Sequence, residues 1–269
     1  MEIATPDILN ISHPLCRATI LLQGAQLISW IPSGASDVLW SSDISHYTSD
    51  KAFRGGIPIC WPWFGKAFSP AHGFARLMLW ELVNRDDNAH GVDLEFRLTD
   101  TPQSRQIWPH SFTLLLQMHL GTTCEVQLHI QAPIQTTGAL HTYLSTSDIT
   151  HSAISGLGDS YIDSLQENTL VTTQESTLQI DSEVDRIYIH PHNENILTTP
   201  EKILYLTHQG HSDVVVWNPW IERSAEIADM RKKDYHNMVC IETARIRKSF
   251  TEKDSIGIRL RTTDYFSKL

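Results

Sequence analysis

The chain has 269 residues, 41% of them hydrophobic, and a formal net charge of -10 at pH 7. The length suits one large β unit of ~200–250 residues better than a typical domain of ~100–200, and the acidic balance argues against a nucleic-acid partner, which needs a basic face for phosphates. No run approaches the ~20 apolar residues of a membrane span, and Met1-Glu2-Ile3-Ala4-Thr5-Pro6-Asp7 has neither the basic nor the apolar region of a signal peptide, so a cytoplasmic protein with no membrane partner is expected.

Strand signals recur along the chain. Short apolar runs at 18–22, 93–98 and 112–120 come first, the last closed by the turn Gly121-Thr122-Thr123. Residues 125–131 alternate strictly, with Val126, Leu128 and Ile130 on one face. Runs at 139–144, 184–189, 203–207 and 213–217 follow, and Ile256, Ile258 and Leu260 alternate with Gly257, Arg259 and Arg261. Residues 151–163 read as a loop, and 223–230 as one short helix. Many strands with no intervening helices predict an all-β, antiparallel architecture with few short helices. Without a Pro/Gly/Ser-rich linker or an internal repeat, residues 1–269 are expected to form a single domain.

The four cysteines, Cys16, Cys60, Cys124 and Cys240, form no Cys-x-x-Cys pair and read as reduced, buried thiols. His190-Pro191-His192 lacks a third ligand at suitable spacing and, with Asn193-Glu194-Asn195, reads as an exposed turn and not a metal site. Gly156-Leu157-Gly158 begins like a dinucleotide fingerprint, but Tyr161 stands where the third glycine should be. Neither metal nor cofactor is expected.

Other positions carry chemistry. In a strand over 139–144, His141 and Tyr143 share one face while Leu140 and Leu144 point to the core. His141 is then either a surface histidine or a proton donor near neutral pH. In Val239-Cys240-Ile241-Glu242-Thr243-Ala244, Val239 and Ile241 face one way and Glu242 the other, with Cys240 and Ala244. Glu242 is either a pocket-facing general base with a raised pKa or the ion-pair partner of Arg245 or Arg247. Arg54 and Arg76 bracket a segment rich in glycine, proline and aromatic residues, and their planar forks suit a phosphate or carboxylate unless each is salt-bridged at the surface. Trp61, Trp63, Phe64 and Phe74 either stack on a sugar or fill a core, the core being favoured for at least half of them. Asp185 is either a hydroxyl acceptor or the partner of a nearby arginine.

Together Arg54-Gly55-Gly56-Ile57-Pro58, His72-Gly73-Phe74-Ala75-Arg76, Leu140-His141-Thr142-Tyr143, Val216-Trp217-Asn218-Pro219-Trp220, Ala228-Asp229-Met230 and Val239-Cys240-Ile241-Glu242 resemble the signature of glucose-6-phosphate 1-epimerases, the hexose-6-phosphate mutarotases of the aldose 1-epimerase superfamily. The resemblance implies a large antiparallel β-sandwich of the galactose-mutarotase type and interconversion of the α and β anomers of a hexose 6-phosphate, without a cofactor. It implies His141 and Glu242 as catalytic residues and Arg54, Arg76 and Asp185 as substrate-binding ones, with His72 supporting the pocket or binding substrate. Two positions depart from the pattern: Ala71 replaces the usual glutamine before the His-Gly-Phe-Ala-Arg motif, and Trp63 alters the pocket floor. On this reading Glu242, as base, takes the anomeric hydroxyl proton while His141, as acid, protonates the ring oxygen. That assignment requires His141 charged and Glu242 ionised, a state a nearby carboxylate favours. An aldose 1-epimerase acting on unphosphorylated sugars is the near rival, and a non-catalytic sugar-phosphate binding protein on the same sandwich is the other. A monomer is expected.

Overall fold

A computed structural model describes residues 7–48 and 51–264. The signal-peptide reading over residues 1–6 lies outside this range.

Alternating sequence becomes alternating burial. Cys124–Gln131 and Lys202–Gln209 bury every second side chain, which puts Val126, Leu128 and Ile130 into one core with Leu204 and Leu206. These strands belong to a nine-stranded antiparallel sheet, in the order Thr177–Gln179, Ala153–Ser155, Glu194–Thr198, Lys202–Gln209, Lys253–Asp264, Cys124–Gln131, Thr113–Gly121, Gly91–Thr99 and Glu81–Asn88. An eight-stranded sheet runs Thr169–Thr172, Ser160–Asp163, Val184–Tyr188, Asp213–Asn218, Met238–Phe250, Thr136–Leu140 and Ile59–Cys60, with Tyr143–Ser145 also paired to Met238–Phe250. A three-stranded sheet, Ile8–His13, Cys16–Leu21 and Gln26–Pro32, completes the large β-sandwich.

Val214, Val216, Val239 and Ile241 of the eight-stranded sheet join the core built on the nine-stranded one. Each such side chain contributes ~1.5–3 kcal/mol by leaving water. The next residues along Met238–Phe250, Cys240, Glu242 and Ala244, point to the opposite face, where Cys240 and Ala244 sit in separate small apolar clusters. A strand buried on both faces is thus the platform for the interior carboxylate. One polar bridge crosses the core: buried His208 contacts Thr243 Oγ1 at 2.8 Å and Asn195 Oδ1 at 2.9 Å, joining the two sheets.

Four expectations need correction. The predicted strand over 139–144 is interrupted at His141-Thr142, where His141 N–H donates to the Pro58 carbonyl (3.0 Å) and Thr142 N–H to that of Leu140 (3.0 Å). The short helix is Trp220–Glu226 and not 223–230. Asn218 Oδ1 accepts the Trp220 N–H at 2.9 Å to start it, and beyond Ile227 the chain leaves the helix to place Asp229 against Arg54. Residues 151–163 hold the strands Ala153–Ser155 and Ser160–Asp163, too short and polar for periodicity to reveal. Asn195 is fully buried, because its side-chain amide also donates to the Gly156 carbonyl at 2.7 Å.

Candidate active site

Backbone pairing assembles the site. The loop from Arg54 onward lies along residues 138–143: Tyr143 N–H donates to the Gly56 carbonyl (2.9 Å), and Ile59–Cys60 pairs with Thr136–Leu140. The same loop folds back on itself, since the N–H groups of Phe74 and Ala75 both reach the Trp61 carbonyl, at 3.0 and 3.2 Å. Trp61, Trp63 and Phe74 are buried in the main core and brace this fold-back, whereas Phe64 packs on the other side of the sheet, beside Cys60, Ala139 and Val215.

Strand register then sets the floor. Leu140 pairs with Thr243 and Tyr143 with Cys240, so the same register places His141 opposite Glu242. Glu242 pairs with Val215, and Val215 with Ile187. The neighbouring row on that face runs Asp185, Trp217, Cys240 and Tyr143.

His141 Nε2 lies 3.3 Å from Glu242 Oε1, with His141 8% and Glu242 1% exposed. Arg245 and Arg247 pair elsewhere, with Asp254 and Asp213, so neither neutralises Glu242. Tyr143 stacks on the His141 ring at 4.7 Å and 14°, and the His72 ring stands edge-on at 5.7 Å. Arg54 donates from Nε to Asp229 Oδ1 (3.0 Å) and from Nη1 to Tyr143 Oη (3.1 Å). Arg76 Nη2 donates to the Ala71 carbonyl (2.8 Å). The position that departs from the motif therefore still contributes, through its backbone. Asp185 is half-buried, and burial raises its carboxyl above the usual range; its backbone carbonyl accepts the Ser164 N–H at 2.9 Å. His190 and His192 stand apart in their turn, and no group of three or more His, Cys, Asp or Glu among the described residues is placed to hold a metal ion.

Among the described residues, four buried side-chain polar atoms lack a hydrogen-bond partner, and three of them are here: His141 Nδ1, Glu242 Oε2 and Arg76 Nε, the fourth being Gln23 Oε1. An unsatisfied buried polar group costs ~1–3 kcal/mol. Their concentration in one site marks a place where stability yields to a task.

Electrostatics differ from the expectation. Burial pushes the Glu242 carboxyl well above its usual range, reinforced by Asp185 and partly opposed by Arg76. Burial also drives His141 well below its usual value, helped by His72, Arg76 and Arg54. Both shifts favour the uncharged form of each group, because burial penalises either charge. His72 is lowered to about 4 by burial, then by Arg76, Arg54 and Lys66.

A stability prediction follows from the sign of these shifts. A raised carboxyl pKa gives stability that is full below the unfolded value, ~4.3, and lost as pH rises through the folded one. A lowered histidine gives stability that is present above ~6.5 and lost as pH falls through the folded value. Glu242→Gln removes only the alkaline loss. Its thermal midpoint is expected to exceed that of the parent chain at pH ~8–9, by ~2–4 °C per kcal/mol, and to converge with it near pH ~4. A variant melting below the parent across that whole range would contradict the neutral pair.

Asp229 and Trp217 entered the sequence reading only as members of motifs, and Tyr143 by motif and strand face, each without a role. The one local signal was Tyr143, two residues from His141 and so on its face.

The large antiparallel sandwich that carries this buried imidazole–carboxylate pair has the fold of the mutarotases. The profile of the aldose 1-epimerase family matches residues 7–254, and this chain is a member of that family. It is 39% identical over 243 residues to an Escherichia coli K12 protein named "Putative glucose-6-phosphate 1-epimerase", covering 88% of this chain and 83% of that one. A Cenchrus ciliaris protein of the same name is 32% identical over 255 residues, covering 88% and 78%. The crystal structure of a "putative mutarotase" from Salmonella typhimurium superposes with a TM-score of 0.94 at 34% identity, over 98% of this chain and 92% of that one. The chain is thus an epimerase that interconverts sugar anomers. No helix among the described residues is long and apolar enough to cross a membrane.

Proposed function

We propose that the substrate is a hexose 6-phosphate, glucose 6-phosphate first, and that His141 and Glu242 carry the proton transfers of ring opening and closure. The 3.3 Å contact between two buried ionisable groups carries this reading, because the anomeric and ring oxygens share one carbon and a touching pair addresses both. The protonated member donates to the ring oxygen while the other takes the proton of the anomeric hydroxyl. The C1–O5 bond breaks, and the pair still holds one proton, now on its other member. Rotation about C1–C2 presents the second carbonyl face, and closure reverses both transfers. With the proton resting on Glu242, opening begins with Glu242 as acid and His141 as base; with His141 charged, the roles are those of the sequence reading. A phosphate dianion near Arg54 and Arg76 offsets the positive field that depresses His141 and so favours the charged form.

Arg76 supports phosphate recognition, with one guanidinium N–H unpartnered, and Asp185 on the neighbouring row is suited to accept sugar hydroxyls. Arg54 serves the same anion from a position already shared with Asp229. That shared charge is the observation favouring the rival, an aldose 1-epimerase for neutral sugars. The two separate on turnover: kcat/KM for glucose 6-phosphate is expected to exceed that for glucose by ~10²-fold, as two charge-assisted contacts provide. Equal values would remove phosphate from the account. The described fold also fits one catalytic unit working as a monomer, and its four buried, unpaired cysteines suit a reducing, cytoplasmic compartment.

A further inference from the structure

We infer that Tyr143 is a positioning residue that serves both halves of the site: its ring holds the His141 imidazole where it meets Glu242, and its hydroxyl aims the Arg54 guanidinium at the anion of the substrate. The Arg54 half rests on the hexose 6-phosphate reading and deepens it; the His141 half does not depend on it.

An imidazole in a site is commonly oriented by the hydrogen bond that its second nitrogen makes. At His141 that bond is missing: Nε2 faces Glu242 at 3.3 Å, and Nδ1 is buried without a hydrogen-bond partner. Orientation therefore falls to the surrounding rings. His72 and Trp217 meet the imidazole near edge-on, at 5.7 and 6.4 Å, while Tyr143 lies almost parallel to it, at 4.7 Å and 14°. Residues two apart on a regular strand are spaced ~6.6 Å, so these two rings lean together. Tyr143 is itself well fixed. Trp40 stacks on it at 5.8 Å and Trp217 stands edge-on at 6.2 Å, and its backbone N–H and carbonyl are bonded to Gly56 and Trp40.

Packing alone calls for a phenylalanine at this position, since the ring sits in a cluster with Met230, Met238 and Cys240. A buried hydroxyl needs a partner, and here it accepts from Arg54 Nη1 at 3.1 Å, while Arg54 Nε donates to Asp229 Oδ1 at 3.0 Å. Two anchors fix the plane of the guanidinium fork. They leave Nη2, which makes no hydrogen bond among the described residues, as the open donor for an anion. With Asp229 as the one anchor, the fork can swing.

The test compares Tyr143→Phe and Tyr143→Leu with the parent chain in anomer exchange of glucose 6-phosphate and of glucose. Tyr143→Phe keeps the stacked ring and loosens Arg54. Its kcat/KM for glucose 6-phosphate is expected to fall about fivefold, mostly through KM, as loss of one hydrogen bond gives, and the preference over glucose to narrow by the same factor. Tyr143→Leu also removes the flat ring, and kcat is expected to drop a further ~10-fold on both sugars, because a loosened imidazole is less often in line with Glu242. Where Tyr143→Leu does not fold, Tyr143→Met, a flexible filler for the same cluster, takes its place. An unchanged sugar preference in Tyr143→Phe overturns the Arg54 half, and a kcat in the ring-less variant no lower than in Tyr143→Phe overturns the His141 half. A parent chain with no preference for glucose 6-phosphate overturns the 6-phosphate reading and the Arg54 half with it, while kcat on glucose still decides the His141 half.

Discussion

Glu242→Gln and His141→Asn are each expected to lower kcat for anomer exchange by ~10²–10⁴-fold, the usual contribution of a positioned acid or base. Glu242→Gln keeps the shape of the side chain, and His141→Asn gives up only the ring stacked on Tyr143, so the sandwich should fold; Glu242 is flanked by Ile241 and Thr243, whose core contacts are untouched. What is lost is the ability to exchange a proton. With one member inert, the pair can neither accept the anomeric hydroxyl proton and donate to the ring oxygen in the same turnover nor reverse that in closure. The two groups act as a unit across 3.3 Å, so the double variant should be little slower than either single one. Magnetisation-transfer NMR at anomeric equilibrium measures this directly. Exchange within tenfold of the parent rate in either single variant would remove that residue from the chemistry.

Gly73→Ala is the substitution expected to damage the site most without touching a reacting group. Gly73 has φ +70°, where an L residue is strained, and a Cβ placed there would stand 2.0 Å from the Trp61 carbonyl oxygen. That carbonyl accepts the Phe74 and Ala75 N–H groups, so it cannot retreat without opening the fold-back that carries His72 and Arg76. Strain of ~3 kcal/mol corresponds to a loss of ~6–12 °C in thermal midpoint for a chain of this size. kcat/KM is expected to fall at least ~10-fold, because a displacement of about 1 Å at a binding group is costly. Gly34→Ala is the control: φ there is +79°, but nothing stands within 4 Å of the added carbon. Equal losses in the two variants would show that backbone strain alone, and not the closeness of Trp61, governs the loop.

How legible a strand was depended on its place in the sandwich. Central strands with one face on the core, such as Cys124–Gln131, announce themselves by alternation. Edge strands such as Thr169–Thr172 and Thr177–Gln179, with mostly exposed side chains, do not, because little apolar surface is patterned there. Met238–Phe250 is buried along its first eight residues on both faces, so periodicity conveys little, and only its lone carboxylate stood out. The strand break at His141 was equally invisible, since it is made by the distant Pro58 carbonyl.

The sequence by itself determined that this is an antiparallel β protein, and which arginines, histidines and carboxylates were candidates for its chemistry, because alternation and isolated polar residues are local properties. Only the tertiary structure decided that His141 touches Glu242 and that Asp229 and Tyr143 occupy Arg54. Those contacts join residues far apart in the chain through strand register and loop fold-back. The protonation of the pair follows from burial and from the summed field of neighbours, neither of which is written at any single position.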